Sequence, residues 1–380
     1  MAISARAREL VADGRDVISF GAGEPDFATP EHISAAAARA AYDPVNHHYT
    51  ANAGLRPLRE AVAEYTAQYS KVEVDFSEVV ITNGAKQAVF QAFAALLDPG
   101  DEVLVPSPHW VTYPAGIELA GGVTMPVPTG SDSGFKVTVG DLEAARTERT
   151  KMLVFVSPSN PTGTVYTAGE ARAIGQWAAE NDIWVVADEI YQRLVYSSDI
   201  APSDIAPSIA SATPRFENWI LINGVAKSYA MTGWRVGWMV GPRDIIDAAE
   251  RHQSHATSNV ANIAQQAALA ALAGPQDTVD EMREAFDSRR KLMYSLVSEI
   301  PGVSCVEPEG AFYVFPDMTG AMAGRFETSI DLAAAILEDA EVAVVPGDSF
   351  GAPGYIRLSY AVGKDQIQQG VDRIARLLGA

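Results

Sequence analysis

Four polar residues stand at the ends of short apolar runs, where side chains could converge on a charged ligand. Asp188 follows the run at residues 183–187, and a carboxylate at the end of a buried strand needs a cation or several hydrogen bonds. A protonated ring nitrogen would be such a cation. Tyr191 comes three residues later, so one helical turn would place its phenol on the same side. Lys227 could form an imine with a carbonyl, and Arg235, at the start of the next apolar run, could pair with a phosphate.

Each of these side chains also has an ordinary structural explanation when it is taken singly. Asp188 could form a structural salt bridge or cap a helix, Tyr191 could pack in the core, and Lys227 could be a solvated surface lysine. Their joint occurrence in this order favours cofactor chemistry over these explanations. Such a set functions only if the fold brings its members to one place.

Short β-branched runs alternate with helical periodicity through the middle of the chain, which is typical of an α/β fold with a mostly parallel sheet. Because open α/β sheets bind ligands at the carboxyl ends of their strands, we expect the polar residues to meet there. Helices are predicted at residues 86–97, before the breaker Asp98-Pro99-Gly100, and at 168–181, with Thr167 as N-cap. Strands are predicted at residues 79–82, 102–105, 152–156, 183–187, 220–223 and 236–240.

The chain of 380 residues is longer than one hydrophobic core serves efficiently, so a large and a smaller domain are expected. After about residue 275 the pattern changes to a long charged helix at 279–300, followed by strand-like pieces around 311–315 and 355–359. We therefore predict a large domain over residues 30–275 and a smaller α+β domain over 276–380. Residues 1–29 lack a core of their own and are predicted to pack on the smaller domain.

Composition limits the possible partners and the compartment. The 28 basic and 48 acidic residues give a net charge of −20, which argues against a nucleic-acid or anionic membrane partner. A solitary Cys305 excludes an internal disulfide and fits a reducing compartment, and the six histidines show no spacing typical of a metal site. No stretch resembles a signal peptide or a membrane span. We predict a cytoplasmic, metal-free protein with neither nucleic-acid nor membrane partners.

The run NGVAKSYAMTGWRVGW at residues 223–238 resembles the cofactor-lysine motif of the class I/II aminotransferases of fold type I. The resemblance covers nearly the whole chain and is closest to the bacterial aspartate aminotransferase subgroup. It implies a large domain with a mostly parallel, helix-covered sheet of seven strands, plus a smaller α+β domain. Further motifs of the family occur in the expected order: GAGEPDF at 21–27, Tyr49 before TANAG, TNGAKQA at 82–88, SPHW at 107–110, SNPTG at 159–163, ADEIY at 187–191 and YIRLSY at 355–360.

The resemblance implies that the chain binds pyridoxal 5'-phosphate through these residues. Lys227 would form the Schiff base and then transfer a proton between the substrate α-carbon and the cofactor. Asp188 would keep the ring nitrogen protonated, so that the ring serves as an electron sink. Asn160 and Tyr191 would donate hydrogen bonds to the phenolic oxygen, and Trp110 would stack on the ring.

The phosphate, on the same resemblance, would lie at the N-terminus of the helix that begins near Gly84 and Ala85. Arg235 would add a charge-assisted pair. Many relatives carry a Ser or Thr three residues before the lysine as a further phosphate ligand, and this chain has Gly224 there. In the family, Tyr49 reaches the phosphate in the neighbouring subunit, which implies a homodimer with shared active sites.

The substrate site implied by the resemblance centres on Arg357, which would clamp the α-carboxylate with its planar guanidinium. Gly23 would allow the backbone to approach the same carboxylate, and Trp110 and Asn160 would also contact the substrate. Lys86 would lie near the phosphate end and bind the distal carboxylate of aspartate or glutamate. These residues imply amino-group transfer between aspartate or glutamate and 2-oxo acids by a ping-pong Schiff-base mechanism. Aromatic or prephenate transamination and a β-lyase reaction would use the same lysine, aspartate and arginines and stay open.

Two function classes outside this chemistry are disfavoured by the sequence. A sensor domain of a transcription regulator would need a DNA-binding segment, and no basic helix-turn-helix precedes residue 20. A dinucleotide oxidoreductase would need G-x-G-x-x-G between a strand and a helix at the start of the sheet, and that motif is missing. Relatives also carry a Ser/Thr-bearing stretch upstream of Ile3 that closes over the distal group, and how this chain closes its site stays open.

Overall fold

A computed structural model of the chain describes residues 2–196, 205–212 and 217–379. The strands in this part of the chain are β1 (Ile18–Ser19), β2 (Val79–Thr82), β3 (Glu102–Ser107), β4 (Val123–Pro128), β5 (Thr150–Val156), β6 (Trp184–Asp188), β7 (Trp219–Gly224), β8 (Gly237–Val240), β9 (Tyr313–Val314), β10 (Val342–Ala343), β11 (Val345–Pro346) and β12 (Ile356–Ser359). The helices are α1 (Ala2–Ala12), α2 (Glu31–Tyr42), α3 (Arg56–Tyr65), α4 (Ala85–Leu96), α5 (Thr112–Leu119), α6 (Val139–Ala145), α7 (Ala168–Glu180), α8 (Ile209–Ala212), α9 (Arg243–Ala256), α10 (Asn262–Ala273), α11 (Asp277–Ser298), α12 (Thr319–Met322), α13 (Ser329–Ala340) and α14 (Lys364–Leu378).

The main sheet contains seven strands within the described ranges, in the order β2-β8-β7-β6-β5-β3-β4. Strands β4, β3, β5, β6 and β7 pair in parallel, and β8 runs antiparallel to both β7 and β2. Successive residues such as Val185 and Val186 pack into different hydrophobic clusters, because helices cover both faces of the sheet. The predicted α/β class with a mostly parallel, seven-stranded sheet is confirmed.

The six strands predicted from residue patterns all occur, with ends shifted by up to two residues. The edge strand β4 was not predicted, because Pro126 and Pro128 interrupt its run and prolines disfavour a strand assignment. The structure tolerates them at an edge, where only one side of the strand is paired. The predicted N-cap of α7 is confirmed, since Thr167 Oγ1 accepts a hydrogen bond from the N–H of Glu170 at 3.2 Å.

A second set of strands lies beyond the main sheet, with β11, β12 and β9 pairing antiparallel. Helices α11, α13 and α14 pack against it through residues such as Phe286, Ile336 and Ile374. The N-terminal stretch joins this part, because β1 pairs in parallel with β10 and places Ile18 beside Val342. The domain boundaries at residues 29 and 275 stay predictions.

The segment after β1 leads from the second set of strands back to the main sheet. Asp26 forms an ion pair with Arg289 of α11 at 2.6 Å, and the Phe27 ring meets Phe286 edge-on at 5.3 Å. These contacts fix the backbone of the preceding Gly23 where the two sheets face one another. Within the described parts of the chain, no helix is long and apolar enough to cross a membrane.

Candidate active site

A cavity of about 480 Å³ lies between the carboxyl ends of the main-sheet strands and the second set of strands. Of the twelve residues that the sequence predicted for the site, ten line this cavity: Gly23, Ala85, Lys86, Trp110, Asn160, Asp188, Tyr191, Lys227, Arg235 and Arg357. Gly84 directly precedes the lining residue Ala85. Tyr49 lies outside the cavity with 91% of its surface exposed, and its contact with a second subunit stays a prediction.

Asp188 ends β6 as a buried carboxylate with neutral hydrogen-bond donors. Its Oδ2 accepts a hydrogen bond from the Tyr113 hydroxyl at 2.9 Å, and its Oδ1 accepts one from the Ile190 N–H at 3.1 Å. Burial raises the pKa of the Asp188 carboxyl, while these hydrogen bonds and the positive charge of Lys227 act to lower it. A cation placed against this carboxylate would therefore be held strongly, as a protonated ring nitrogen would be.

Lys227 lies in the turn after β7, and its Nζ donates a hydrogen bond to the backbone oxygen of Gly23. The Nζ atom also lies 5.8 Å from the ring centroid of Tyr191. Burial, followed by repulsion from Arg357, lowers the pKa of Lys227 to about 8, while Glu24 and Asp188 act in the opposite direction. A neutral amine, which is a nucleophile, is therefore accessible near neutral pH.

Arg357 projects from β12 with its guanidinium largely buried. Its Nη1 donates to Asn160 Oδ1 at 2.9 Å, and its Nη2 donates to the backbone oxygen of Gly21 at 2.9 Å. The guanidinium carbon lies 4.3 Å from the Tyr313 ring centroid and 5.2 Å from that of Phe350. Among the described residues, the buried Nε has no hydrogen-bond partner, and each terminal nitrogen has a second N–H beyond the one donated to Asn160 or Gly21.

The N-terminus of α4 and Arg235 together form a site suited to a phosphate. No side chain caps α4, so N–H groups of its first turn are open to an anion. Gly84, with φ of +79°, brings the backbone so close to Arg235 that an added Cβ would lie 2.6 Å from its Nη2. Arg235 is held in place by donating to the backbone oxygens of Thr232 at 3.0 Å and Asn83 at 3.2 Å.

The glycine at position 224 has a packing reason. Gly224 pairs with Gly237 between β7 and β8, and a Cβ on Gly224 would lie 3.0 Å from the Gly237 Cα. A Cβ on Gly237 would in turn lie 2.4 Å from the backbone nitrogen of Ala85. The close approach of β7 to β8 at this pair thus leaves little room for a Ser or Thr three residues before Lys227.

Lys86 adds a further positive charge to the cavity. Its Nζ lies 5.0 Å from the ring centroid of Trp110, close enough for a cation–π contact. The Trp110 ring meets the ring of Tyr113 edge-on at 5.4 Å, which restrains its orientation. No group of three or more His, Cys, Asp or Glu side chains in the described ranges could hold a metal ion.

Comparison with known proteins assigns this chain to a family. A family model for class I and II aminotransferases matches residues 15–374. The chain belongs to this family. The membership inferred from the motifs is confirmed, and the protein is an enzyme that transfers amino groups.

Individual relatives of this aminotransferase agree in length as well as in sequence. The aspartate aminotransferase of Streptomyces avermitilis is 54% identical over 385 residues, covering 100% of this chain and 93% of the relative. The aspartate/prephenate aminotransferase of Cereibacter sphaeroides is 43% identical over 383 residues, covering 98% of this chain and 94% of the relative. The crystal structure of the aspartate aminotransferase from Rhizobium meliloti superposes with a TM-score of 0.93 at 38% identity, covering 99% and 95% of the two chains.

Several residues of the aminotransferase cavity were not predicted from the sequence. Tyr113 binds Asp188, and its position three residues after Trp110 was a usable signal, since that spacing spans about one helical turn. Tyr313 lies with its hydroxyl 2.9 Å from that of Tyr191, and no local pattern connects these two parts of the sequence. Glu24 also lines the cavity, where its carboxylate accepts a hydrogen bond from the Thr232 hydroxyl at 2.7 Å.

Proposed function

We propose that this aminotransferase binds pyridoxal 5'-phosphate in the cavity and transfers amino groups between aspartate or glutamate and 2-oxo acids. One observation carries the proposal: three cations, Arg235, Lys86 and Arg357, line one cavity around the Lys227 amine. A cofactor phosphate and the two carboxylates of such a substrate present three anionic groups. In a protein of net charge −20, local cations are needed to attract them. The names of the relatives from Streptomyces and Rhizobium support the same assignment.

The residues present fit the cofactor part by part. The uncapped start of α4 and Arg235 would hold the phosphate, and Gly84, which has no Cβ, allows the two to lie close together. Asp188 would pair with the ring nitrogen. Tyr191 and Asn160 would donate to the phenolic oxygen; the Asn160 Oδ1 is already bound by Arg357, so its Nδ2 remains as donor. Trp110 would cover the ring.

When bound, the cofactor supplies a conjugated ring that can accept the electron pair released at the substrate α-carbon. Arg357 would fix the α-carboxylate through its guanidinium, which Asn160 and Gly21 hold in one orientation. Lys227 would accept the proton from the substrate α-carbon at Nζ and then donate a proton to the cofactor. Its lowered pKa suits both tasks, because the amine can gain and lose a proton near neutral pH. Asp188 would stay charged throughout and hold the positive ring nitrogen in place.

Lys86 is the residue through which the distal carboxylate is expected to be selected. Replacing Lys86 with glutamine should raise the KM for aspartate roughly tenfold to a hundredfold, since a hydrogen bond to a charged group is lost. The KM for alanine, which has no second carboxylate, should change less than about twofold. Steady-state assays with 2-oxoglutarate as acceptor would measure both values.

Lys364→Gln serves as the matched control for this prediction, because Lys364 is exposed at the start of α14 and lies outside the cavity. It removes the same charge from the protein. An equal loss with aspartate and alanine in Lys86→Gln would contradict the specificity role. Such a result would assign Lys86 to the cofactor phosphate instead.

The aspartate/prephenate aminotransferase relative supports a second candidate substrate. Prephenate also carries a second carboxylate, so Lys86 would serve it as well, and the Trp110 ring beside Lys86 offers a surface for a non-polar ring. Parallel assays with aspartate, prephenate and phenylalanine as partners of glutamate and 2-oxoglutarate separate these activities. A β-lyase would instead release pyruvate from a suitable substrate without any 2-oxo acid acceptor.

The pH dependence of cofactor capture should follow the lowered pKa of Lys227. Only the neutral amine attacks an aldehyde, because the ammonium form has no free electron pair. The rate at which cofactor-free protein takes up pyridoxal phosphate should therefore rise with pH and level off above a midpoint of about 8. Absorbance at constant ionic strength would record this rate, with Nα-acetyl-lysine as reference. A midpoint near the ordinary lysine value of 10.5 would contradict the burial of the amine.

We also propose a homodimer in which Tyr49 of each subunit reaches the cofactor phosphate of the other. Support comes from a short stretch in which Tyr42, Val45 and Tyr49 are 88%, 65% and 91% exposed, since large side chains of this kind are commonly covered by a partner. Sedimentation of the purified protein would test the dimer. The cytoplasmic location stays a prediction.

A further inference from the structure

Tyr313 is a fully buried tyrosine of the cavity that has no assigned task in the proposed reaction. It begins β9, its side chain has a relative exposure of 0%, and it lines the cavity. Its hydroxyl oxygen lies 2.9 Å from that of Tyr191, and its ring centroid lies 4.3 Å from the guanidinium carbon of Arg357. One side chain therefore contacts two groups that would bind different ligands.

Strand register explains why Tyr313 reaches Arg357. In the antiparallel pair of β9 and β12, Tyr313 lies opposite Ser359. Arg357 is two residues from Ser359 on the same strand, so it lies on the same face of the sheet and diagonally beside Tyr313. The pairing of the backbone thus sets the contact between the ring and the guanidinium.

The guanidinium of Arg357 is held by contacts with aromatic rings as well as by hydrogen bonds. The Tyr313 and Phe350 rings lie 4.3 Å and 5.2 Å from the guanidinium carbon, while Asn160 and Gly21 accept hydrogen bonds from its two terminal nitrogens. Contact with an aromatic face stabilises a buried cation. Loss of the Tyr313 ring would leave the guanidinium free to tilt, although its hydrogen bonds would remain.

The other end of Tyr313 acts on Tyr191. The titratable groups that face Tyr191 are Tyr313, Arg357, Asp188 and Lys227. If Tyr313 donates its proton to the Tyr191 oxygen, the Tyr191 hydrogen is free to point at a ligand in the cavity. Burial raises the pKa of Tyr313, with Arg357 and Tyr191 acting in the opposite direction, so the phenol is protonated at neutral pH and can donate.

We propose that Tyr313 is a positioning residue with two functions: its hydroxyl directs the Tyr191 proton toward the cofactor, and its ring holds Arg357 in the plane that receives the substrate carboxylate. This inference rests on the proposed function, because it assumes the cofactor and the amino-acid substrate in this cavity. The two functions belong to different atoms of one side chain. Separate substitutions can therefore remove them one at a time.

Three variants of the cofactor-loaded enzyme test the proposal. Tyr313→Phe removes only the hydroxyl, and Tyr313→Leu removes the ring as well. Tyr360→Phe is the matched control, because Tyr360 is also 0% exposed in the same hydrophobic cluster and its hydroxyl donates to the backbone oxygen of Ala311 at 3.1 Å. Two measurements are made on each protein: the pH midpoint of the visible cofactor band, and kcat and KM for aspartate separately.

In Tyr313→Phe, the pH midpoint of the visible band is expected to rise by roughly half to one pH unit, because a weaker donation from Tyr191 stabilises the phenolate less. Its KM should stay within about twofold of the unsubstituted enzyme, since the ring contact with Arg357 persists. In Tyr313→Leu, the KM for aspartate should rise roughly tenfold as the cation–π contact is lost. Tyr360→Phe should change neither the midpoint nor the KM.

The outcomes separate this inference from the proposed function. If the unsubstituted protein shows a cofactor band and transaminates aspartate, but Tyr313→Phe has the same midpoint as Tyr360→Phe, the role of the hydroxyl is wrong. If a folded Tyr313→Leu keeps the KM of the unsubstituted enzyme, the role of the ring is wrong. If the unsubstituted protein binds no cofactor at all, the proposed function and this inference both fail. Should Tyr313→Leu not fold, the midpoint of Tyr313→Phe still decides the role of the hydroxyl, and Tyr313→Met, which fills more of the space of the ring without an aromatic face, replaces Tyr313→Leu in the KM measurement.

Discussion

Replacing Lys227 with alanine is expected to lower kcat/KM for transamination on the order of 10⁴-fold or more, since one amine does both the covalent and the acid–base work. Burial lowers the pKa of the Lys227 amine to about 8, so its nucleophilic form is accessible near neutral pH. No arginine can replace it as a nucleophile, because a guanidinium does not lose its proton. A coupled assay of oxaloacetate formation from aspartate would measure the loss.

Lys364→Ala is the control for the Lys227 variant, because it removes an exposed lysine that does not line the cavity and should keep full activity. The Lys227→Ala protein should remain folded, since the hydrogen bond that is lost goes to the backbone oxygen of Gly23, which can bind water instead. A residual rate above about one hundredth of the unsubstituted rate would contradict the covalent role, because even acid–base catalysis alone contributes at least that much.

Replacing Asp188 with asparagine is expected to lower kcat about 10³-fold while most of the cofactor stays bound, because a charge that stabilises the transition state is removed from a buried site. The amide keeps the shape of the carboxylate, and its one oxygen can still accept from either the Ile190 N–H or the Tyr113 hydroxyl, while its NH2 group can donate to the Tyr113 oxygen. The phosphate contacts at α4 and Arg235 are untouched. Asp188→Ala should have the same direction of effect, with catalysis lost more severely than cofactor retention.

Glu189→Gln provides a matched control for Asp188. Glu189 is the neighbouring buried carboxyl, and its Oε2 accepts hydrogen bonds from Ser70 at 2.9 Å and Gln192 at 3.1 Å, outside the cavity. Burial raises the pKa of Glu189 to about 7, so its charge is partly lost already near neutral pH. We expect less than about a tenfold change in kcat for this variant. Equal losses in both variants would show that any buried carboxyl here is needed, and the ring-nitrogen role of Asp188 would be wrong.

Most strands and helices of the fold could be predicted from the sequence, because their residue patterns are clear within each element. Continuous apolar runs predicted the central strands, since both faces of the sheet are covered by helices. Capping at Thr167 predicted the start of α7. The edge strand β4 was missed because Pro126 and Pro128 remove backbone donors, and such a strand is stable only through its pairing with β3.

The site was predictable where a residue lies at or close to the end of a strand with a clear local pattern. Asp188 ends β6, Lys227 follows β7 by three residues and Arg235 precedes β8 by two, and the structure brings all three to one cavity. Tyr313 was not predictable in this way, because its place depends on the register between β9 and β12 and on how those strands face the main sheet. Tyr49 depends on a second subunit, so its predicted role still has to be tested.

The most direct test is the visible spectrum of the purified protein, titrated in turn with aspartate, glutamate, phenylalanine and alanine, with Lys227→Ala beside it. We expect a pH-sensitive cofactor band that changes to the amine form with aspartate and glutamate alone, and that returns with oxaloacetate or 2-oxoglutarate. The Lys227→Ala protein should lack that pH-sensitive band. A well-folded unsubstituted protein with no band would contradict the cofactor assignment, and a band that responds only to phenylalanine would contradict the dicarboxylic substrate.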